Sequence, residues 1–249
     1  MSETISGKTI LITGASTGIG AAVARDLAAG NTIFVHYNSS RDAAETVAAD
    51  VKAAGGTAHL LKADVGRESD CAALVAEVTS RTDVLDVLIN NAGGLVQRRT
   101  LADGPNWKLV DEVFRINTYS VFYLTSALVP LLTAADDPSV INITSVAIRS
   151  GAPTAIAYAA AKAAVDTFTR GAARELAPKV RVNAVAPGVI ITPFHDKYTP
   201  PERIKAFVDS TPLQTTGTPQ QIAHAIRFLI ENRFVTGESI EVNGGMFMR

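Results

Sequence analysis

Short runs of β-branched and aliphatic residues alternate with alanine-rich stretches of helical length along nearly the whole chain. Within each run consecutive positions are apolar, as in strands buried on both faces, and such strands belong to parallel sheets built with crossover helices. The pattern predicts strands at 9–13, 32–36, 58–63, 84–89, 140–144, 180–184 and 239–242. Helices are expected at 19–29, 41–54, 68–80, 107–132, 155–176 and 219–231. Together these make an α/β fold, one doubly wound parallel sheet of about seven strands with helices on both faces. Residues 188–217 break the rhythm with Pro193, Pro200, Pro201 and Pro212 and exceed an ordinary connection in length, so a lid is expected at about 189–215. No repeat or linker divides the chain, and a single domain over 1–249 is expected.

Composition narrows the function classes. Folding of 249 residues buries roughly 70% of the unfolded chain's surface, enough for a core without staples. Lys and Arg number 23 against 24 Asp and Glu, a net charge of -1 that provides no footprint for nucleic acid. The single cysteine, Cys71, has no His or Cys neighbour in its helical stretch and reads as a buried structural thiol, so no metal is expected. The polar first residues run directly into a strand, which predicts a cytoplasmic protein without a leader. The longest apolar stretch, 121–135, contains Thr125, Ser126, Pro130 and Thr133 and is too short to span a bilayer, so no membrane partner is expected.

The first strand ends in Thr13-Gly14-Ala15-Ser16-Thr17-Gly18-Ile19-Gly20 and a helix follows. A glycine-rich turn at that junction brings backbone N–H groups close to a pyrophosphate at the positive end of the helix. Further features stand at the ends of successive strands, where an open α/β sheet places its ligand: Asp64-Val65, Asn90-Asn91-Ala92-Gly93, Ser145, and Pro187-Gly188-Val189-Ile190-Ile191-Thr192. Tyr158 and Lys162 lie four apart, on one face of a helix and one turn from each other.

The order and spacing of Thr13 to Gly20, Asn90 to Gly93, Asn117, Ser145, Tyr158, Lys162 and Pro187 to Thr192 resemble the short-chain dehydrogenase/reductase family over nearly the whole chain. The resemblance implies a Rossmann-type fold, a homotetramer, and a small carbonyl or alcohol substrate. It implies a nicotinamide dinucleotide cofactor held by Gly14, Ser16, Thr17, Gly18, Ile19 and Gly20, by Tyr37, Asn38, Ser39 and Arg41, and by Asp64 and Val65 at the adenine. Asn91, Ala92 and Gly93 at the ribose side, Tyr158, Lys162, Pro187, Gly188, Val189, Ile190 and Thr192 complete that set.

Behind the second strand the chain reads Tyr37-Asn38-Ser39-Ser40-Arg41, with no acid before Asp42. Hydroxyls and a guanidinium suit a 2′-phosphate, whereas an acid would bind a 2′-hydroxyl. NADP(H) is therefore favoured over NAD(H), although Thr17 stands where a basic residue is the family's second NADP signal. Hydride transfer to a carbonyl carbon leaves an oxyanion that needs a proton. The resemblance makes Tyr158 the acid/base, Lys162 the charge that lowers its pKa and a ribose ligand, Ser145 the partner of the substrate oxygen, and Asn117 the anchor of a proton-relaying water.

The resemblance implies a substrate pocket built after Gly93, after Ser145 and beyond Gly188, where this chain offers Leu95, Gln97, Arg98, Arg99, Arg149, Phe194 and His195. The arginines and histidine suit a carbonyl compound bearing a carboxylate or phosphate. A 3-oxoacyl group or small keto compound is the expected substrate, with a sugar or keto-uronate as the alternative. Outside the enzymes stands a catalytically silent nucleotide-binding sensor, against which the complete Asn117, Ser145, Tyr158 and Lys162 set speaks.

Overall fold

The computed structural model describes residues 5–194 and 199–248. Seven strands, β1 (Thr9–Ile12), β2 (Thr32–Tyr37), β3 (Thr57–Lys62), β4 (Val87–Asn90), β5 (Ser139–Ile143), β6 (Arg181–Pro187) and β7 (Ser239–Val242), form one sheet in the order β3-β2-β1-β4-β5-β6-β7. Every neighbouring pair is parallel. The helices that join or flank them are α1 (Gly18–Asp26), α2 (Arg41–Ala53), α3 (Glu68–Thr79), α4 (Trp107–Phe114), α5 (Ser120–Ala134), α6 (Ala147–Ser150), α7 (Ile156–Leu176), α8 (Pro201–Ser210) and α9 (Pro219–Glu231).

Alternation along β1 explains the two-sided burial. Ile10 and Ile12 enter one core layer with Val23 of α1, Leu27 just past its end, Val47 of α2 and Ile226 of α9. Leu11 between them faces the other layer, with Leu74 and Val78 of α3 and Leu124 and Leu128 of α5. Both sets are nearly inaccessible to water, so a strand in this sheet has no solvent face to mark with polar residues.

Among the boundary shifts from the sequence pattern, three have an identifiable cause. The fourth strand begins at Val87, because the Leu85 N–H donates to Leu131 O instead of to a neighbouring strand. The sixth runs on to Pro187, whose missing N–H is harmless at a strand end, since Ala186 and Pro187 still align with Glu241 and Val242. The expected helix 107–132 is divided into α4, a π-helical segment Arg115–Tyr119, and α5. Asn117 sits inside that wider turn.

β1 lies between β2 and β4, so the connections leaving β1 and β4 run to opposite sides of the sheet. The crevice between their carboxyl ends is where an open α/β sheet receives its ligand, and the glycine turn and Asn91 both stand there.

Candidate active site

The glycine turn is clamped from three sides. Thr13 Oγ1 accepts hydrogen bonds from the N–H groups of Asn91 and Ala92, both at 2.9 Å. Asn91 Nδ2 returns bonds to Thr13 O at 2.8 Å and Gly14 O at 3.0 Å. Asn91 thus braces the turn from β4. Gly14 takes φ of +63° and Gly18 of +54°, a region that favours glycine. A Cβ on Gly20 would stand 2.3 Å from Gly14 O and 2.6 Å from Asn91 Nδ2, so the turn closes only without a side chain there.

The third clamp is His36, one residue from the end of β2, which the sequence pattern reads as an ordinary strand position. Its Nδ1 accepts from the Gly14 N–H at 2.9 Å, its Nε2 lies 3.1 Å from Ala63 O, and its own carbonyl accepts from the Ala15 N–H at 2.8 Å. Because Nδ1 accepts, Nε2 carries the proton and donates, and the ring is neutral. Burial pushes its pKa down to about 4, against smaller upward pulls from the Ala63 bond and Asp64.

With Gly14 and Ala15 committed to His36, the donors left to an anion are those at the start of α1. Thr17 at its N-cap makes no capping bond, and its first turn carries no acid. These orphan N–H groups, the shaped absence of side chains at Gly14, Gly18 and Gly20, and the packing of Thr192 Cγ2 within 3.1 Å of a Cβ position on Gly18 fit a dinucleotide pyrophosphate. Farther along the crevice, Asn38, Ser39 and Arg41 are exposed, and Arg41 Nε bonds Glu45 at 2.8 Å in a surface pair that water can open. Tyr37, one residue before the exposed Asn38, is buried in the core layer that includes α2. Asp64 accepts from the Gly66 N–H at 3.0 Å and lies 3.6 Å from Arg67 Nε, while Val65 is buried and its carbonyl accepts from Cys71 Sγ at 3.4 Å. Pro187 O accepts from the Val146 N–H, Gly188 has no room for a Cβ beside Asn243, Val189 O accepts from the Gly217 N–H, and Ile190 bridges to Gly217.

Four catalytic candidates converge beside this turn. Lys162 is 3% exposed; its Nζ donates to Ile143 O at 2.7 Å and lies 6.0 Å from the centre of the Tyr158 ring. Ser145 Oγ, at the start of the β5 exit, hydrogen-bonds Tyr158 and accepts from the Ala147 N–H. Asn117 is fully buried: Oδ1 accepts from the Gly94 N–H at 3.0 Å, and Nδ2 donates to Gly94 O at 2.7 Å and Val113 O at 2.8 Å. One amide proton thus ties the π-turn to the Gly94 loop and the other ties it to Val113 of α4. A Cβ on Gly93 would lie 2.7 Å from Asn117 Oδ1 and 3.1 Å from Lys162 Nζ.

Electrostatics in the site run against one sequence expectation. Burial pushes the Tyr158 phenol above its ordinary range, and the Ser145 hydrogen bond opposes this only in part. Burial also lowers Lys162 to about 8. Desolvation penalises phenolate and ammonium alike.

The substrate candidates divide. Phe194 stacks near Tyr158 with ring centres 6.1 Å apart. Leu95 is 2% exposed, and its carbonyl accepts from the Gln97 N–H at 2.8 Å. Arg149 Nε is paired with Glu241 of β7 at 2.8 Å, which commits its charge to a carboxylate of the protein. His195 lies outside the described residues. The geometry adds Arg203 on α8 and Thr199, both beside Arg98 and Thr154.

Comparison with known proteins agrees with this arrangement. A family model described as enoyl-(acyl carrier protein) reductase matches residues 14–247. The 3-oxoacyl-(acyl-carrier-protein) reductase of Staphylococcus aureus is 36% identical over 245 residues, 97% of this chain and 98% of that protein. That of Synechocystis is 38% identical over 249 residues, covering 98% of each. Among solved structures, an NADH-dependent reductase responsible for alginate metabolism superposes with a TM-score of 0.89 at 32% identity, over 98% of this chain and 99% of that one. The angucycline C-6 ketoreductase with bound NADP superposes with a TM-score of 0.88 at 30% identity, over 99% of this chain and 98% of that one. The glycine turn, the Tyr158–Lys162 pair beside Ser145, and these likenesses over the full length converge: the chain belongs to the short-chain dehydrogenase/reductase family and is an NAD(P)-dependent oxidoreductase of carbonyl and alcohol groups.

Proposed function

We propose that the protein reduces a 3-oxoacyl or other small keto compound with NADP(H), Tyr158 acting as the proton donor. The observation that carries this reading is the convergence of Ser145, Tyr158 and Lys162 on one crevice beside the braced glycine turn. When bound, the dinucleotide supplies the hydride. Ser145 holds the substrate oxygen, the Tyr158 hydroxyl gives that oxygen its proton, and Lys162 stabilises the phenolate left behind. In the oxidative direction Tyr158 accepts the proton. Asn117 holds the Gly94 backbone in place beside Lys162, and the N-terminus of α1 receives the pyrophosphate. Exposed Ser39, Ser40 and Arg41 receive the 2′-phosphate, with NAD(H) also admissible since no acid opposes either cofactor there.

Residues 189–215 serve as the substrate cover in this reading. Tyr119 and Phe122, 54% and 45% exposed, border an apolar groove with Phe114 and Tyr123 along α4 and α5, and a second copy of the chain is its occupant in a homotetramer. A cytoplasmic protein is the accompanying reading; no helix among the described residues is long and apolar enough to cross a membrane.

Oxidation of NADPH and NADH followed at 340 nm over a panel of 3-oxoacyl thioesters, keto acids, keto-uronates and diketones tests the function. Turnover that the wild type supports and Tyr158→Phe lacks is the expected result. Equal turnover by the two proteins refutes the role of Tyr158, and nucleotide binding without reduction of any carbonyl refutes the reductase reading.

A further inference from the structure

Ser145 stands in a loop with little local structure to hold it. β5 ends at Ile143, and past Ser145 the chain makes only the one-turn helix α6 before Gly151 turns it away at φ of +69°. Inside this segment the Ala147 N–H donates to Ser145 Oγ at 3.1 Å, the Ile148 N–H to Ser145 O at 3.1 Å and the Arg149 N–H to Val146 O at 3.0 Å. A single helical turn fixes many dihedrals for few hydrogen bonds and does not hold itself. Its shape depends on anchors outside it. One is backbone: the Val146 N–H donates to Pro187 O at 2.9 Å, at the end of β6. A second is made by side chains: Arg149 Nε donates to Glu241 Oε1 at 2.8 Å, on β7.

The surroundings of Glu241 suit it to this task. Its side chain is 14% exposed and that of Arg149 33%, so the pair is partly withdrawn from water and stronger than a fully exposed one. Glu241 Oε2 accepts from Asn243 Nδ2 at 3.3 Å, and the same Nδ2 donates to Phe247 O at 3.0 Å. The carboxylate is thus held from one side by the chain that follows β7 and presents its other oxygen to Arg149. The sheet and the serine turn are thereby joined across 92 positions of sequence. What the turn carries matters for the chemistry, because Ser145 hydrogen-bonds Tyr158 and this bond works against the burial that raises the phenol's pKa. Of the charged groups, Lys162 faces the phenol ring, with Nζ 6.0 Å from its centre.

We propose that Arg149 and Glu241 form a positioning pair for catalysis: their ion pair holds α6 so that Ser145 Oγ meets both the substrate oxygen and the Tyr158 hydroxyl. This rests on the reductase reading, and Arg149 acts in it through Ser145. Hydride and proton transfer demand such aim, since a misplacement of about 1 Å costs roughly a hundredfold in rate.

The test asks whether Arg149 matters only while Ser145 is there to be aimed. Kinetics are measured with NADPH and the best carbonyl of the panel, and NADP+ affinity by calorimetry. Arg149→Gln and Glu241→Gln are expected to lower kcat roughly tenfold or more, while KM and the NADP+ Kd change by less than about threefold. The contact uses one N–H of the guanidinium, so Arg149→Lys keeps an ion pair and recovers most of kcat. Arg81→Gln, which opens an exposed pair with Glu77, leaves kcat unchanged. In a Ser145→Ala background the further change Arg149→Gln costs little, because the group it aims is gone. A second readout needs no turnover. With tyrosines labelled at Cζ for magnetic resonance, the Tyr158 signal is assigned by its loss in Tyr158→Phe, and Ser145→Ala marks its position without the serine hydrogen bond. Arg149→Gln is expected to move the signal toward that position, and Arg149→Lys to leave it near the wild type. A wild-type signal in Arg149→Gln overturns the proposal. So does an unchanged kcat, an equal proportional loss in the Ser145→Ala background, or a rise in NADP+ Kd as large as the fall in kcat. If no carbonyl is reduced, the reductase reading fails, and the Tyr158 signal alone decides whether the pair aims the serine.

Discussion

Acidification from pH 7 to pH 5 tests the role of His36 in the glycine turn. The imidazole is 1% exposed, accepts at Nδ1 from Gly14 and donates at Nε2 to Ala63 O, an arrangement open only to the neutral ring. Its pKa is lowered from 6.5 to about 4 in the folded protein. Between those values the unfolded chain binds more protons than the folded one, so stability falls as pH falls through this window. The ceiling of the loss is roughly 3.4 kcal/mol, reached below pH 4, and between pH 7 and pH 5 the loss is about 2 kcal/mol. Burial leaves little solvent screening to discount. For a chain of this length the loss corresponds to a fall in Tm of about 4–8 °C. His36→Gln removes the titration and retains a side chain with both an acceptor and a donor. Urea unfolding of the two proteins at pH 7 and pH 5 isolates the His36 contribution, because His59 and the carboxylates titrate in both. The wild type is expected to lose about 2 kcal/mol more than the variant over that interval. Equal losses refute the neutral, turn-holding imidazole. Affinity for NADP+ gives an independent reading, since a protonated His36 no longer accepts from Gly14 and the turn loses a clamp.

Gly93→Ala places a methyl group against Asn117 Oδ1 and Lys162 Nζ, so a stability cost of about 1–3 kcal/mol and at least a roughly tenfold loss of kcat/KM are expected; unchanged kinetics exclude the close approach. Lys162→Met abolishes turnover while the nucleotide-free protein keeps its Tm or gains a few degrees, because the buried ammonium, with its pKa lowered to about 8, opposes folding. The sign gives a second check: wild-type stability rises relative to the variant between about pH 8 and 10.5, where the unfolded lysine is charged and the folded one is not. Burial and neighbouring acids push the Cys71 thiol up to about 11, so Ellman's reagent is expected to label it only after unfolding. Rapid labelling of the native protein contradicts that burial.

The strands were legible because burial on both faces leaves uninterrupted apolar runs, and all seven appear in the sheet with boundary shifts only. Helix 107–132 was legible in extent but not in kind. Its apolar periodicity spans the whole stretch, whereas the π-turn at Arg115–Tyr119 carries Asn117, which bonds the Gly94 loop 23 positions away. Tyr37 reads as the first residue of an open loop and belongs to the core, because β2 extends one residue beyond the predicted end. The short α6 and α8 have too little periodic sequence to announce themselves.

Sequence distance governs which parts of the site were visible. The glycine turn and the Tyr158–Lys162 pair are local, since turn and helix geometry bring their residues together whatever the rest of the fold does. His36 meets Gly14 across 22 positions, Arg149 meets Glu241 across 92, and Arg98 meets Thr199 across 101. Those meetings depend on strand order. With β1 between β2 and β4, the β2 end carries His36 under the glycine turn and the β4 end carries Asn91 against it. With β7 beside β6 at the sheet edge, Glu241 reaches and neutralises Arg149. The same topology leaves Arg98 and Arg203 together at the crevice mouth. Three loop arginines and a histidine look alike as letters, yet the fold gives one of those arginines a carboxylate of its own and sets another beside a fourth arginine from α8. The charge state of Arg149 at this site is therefore a property of strand order, which a reading of the sequence alone does not reach.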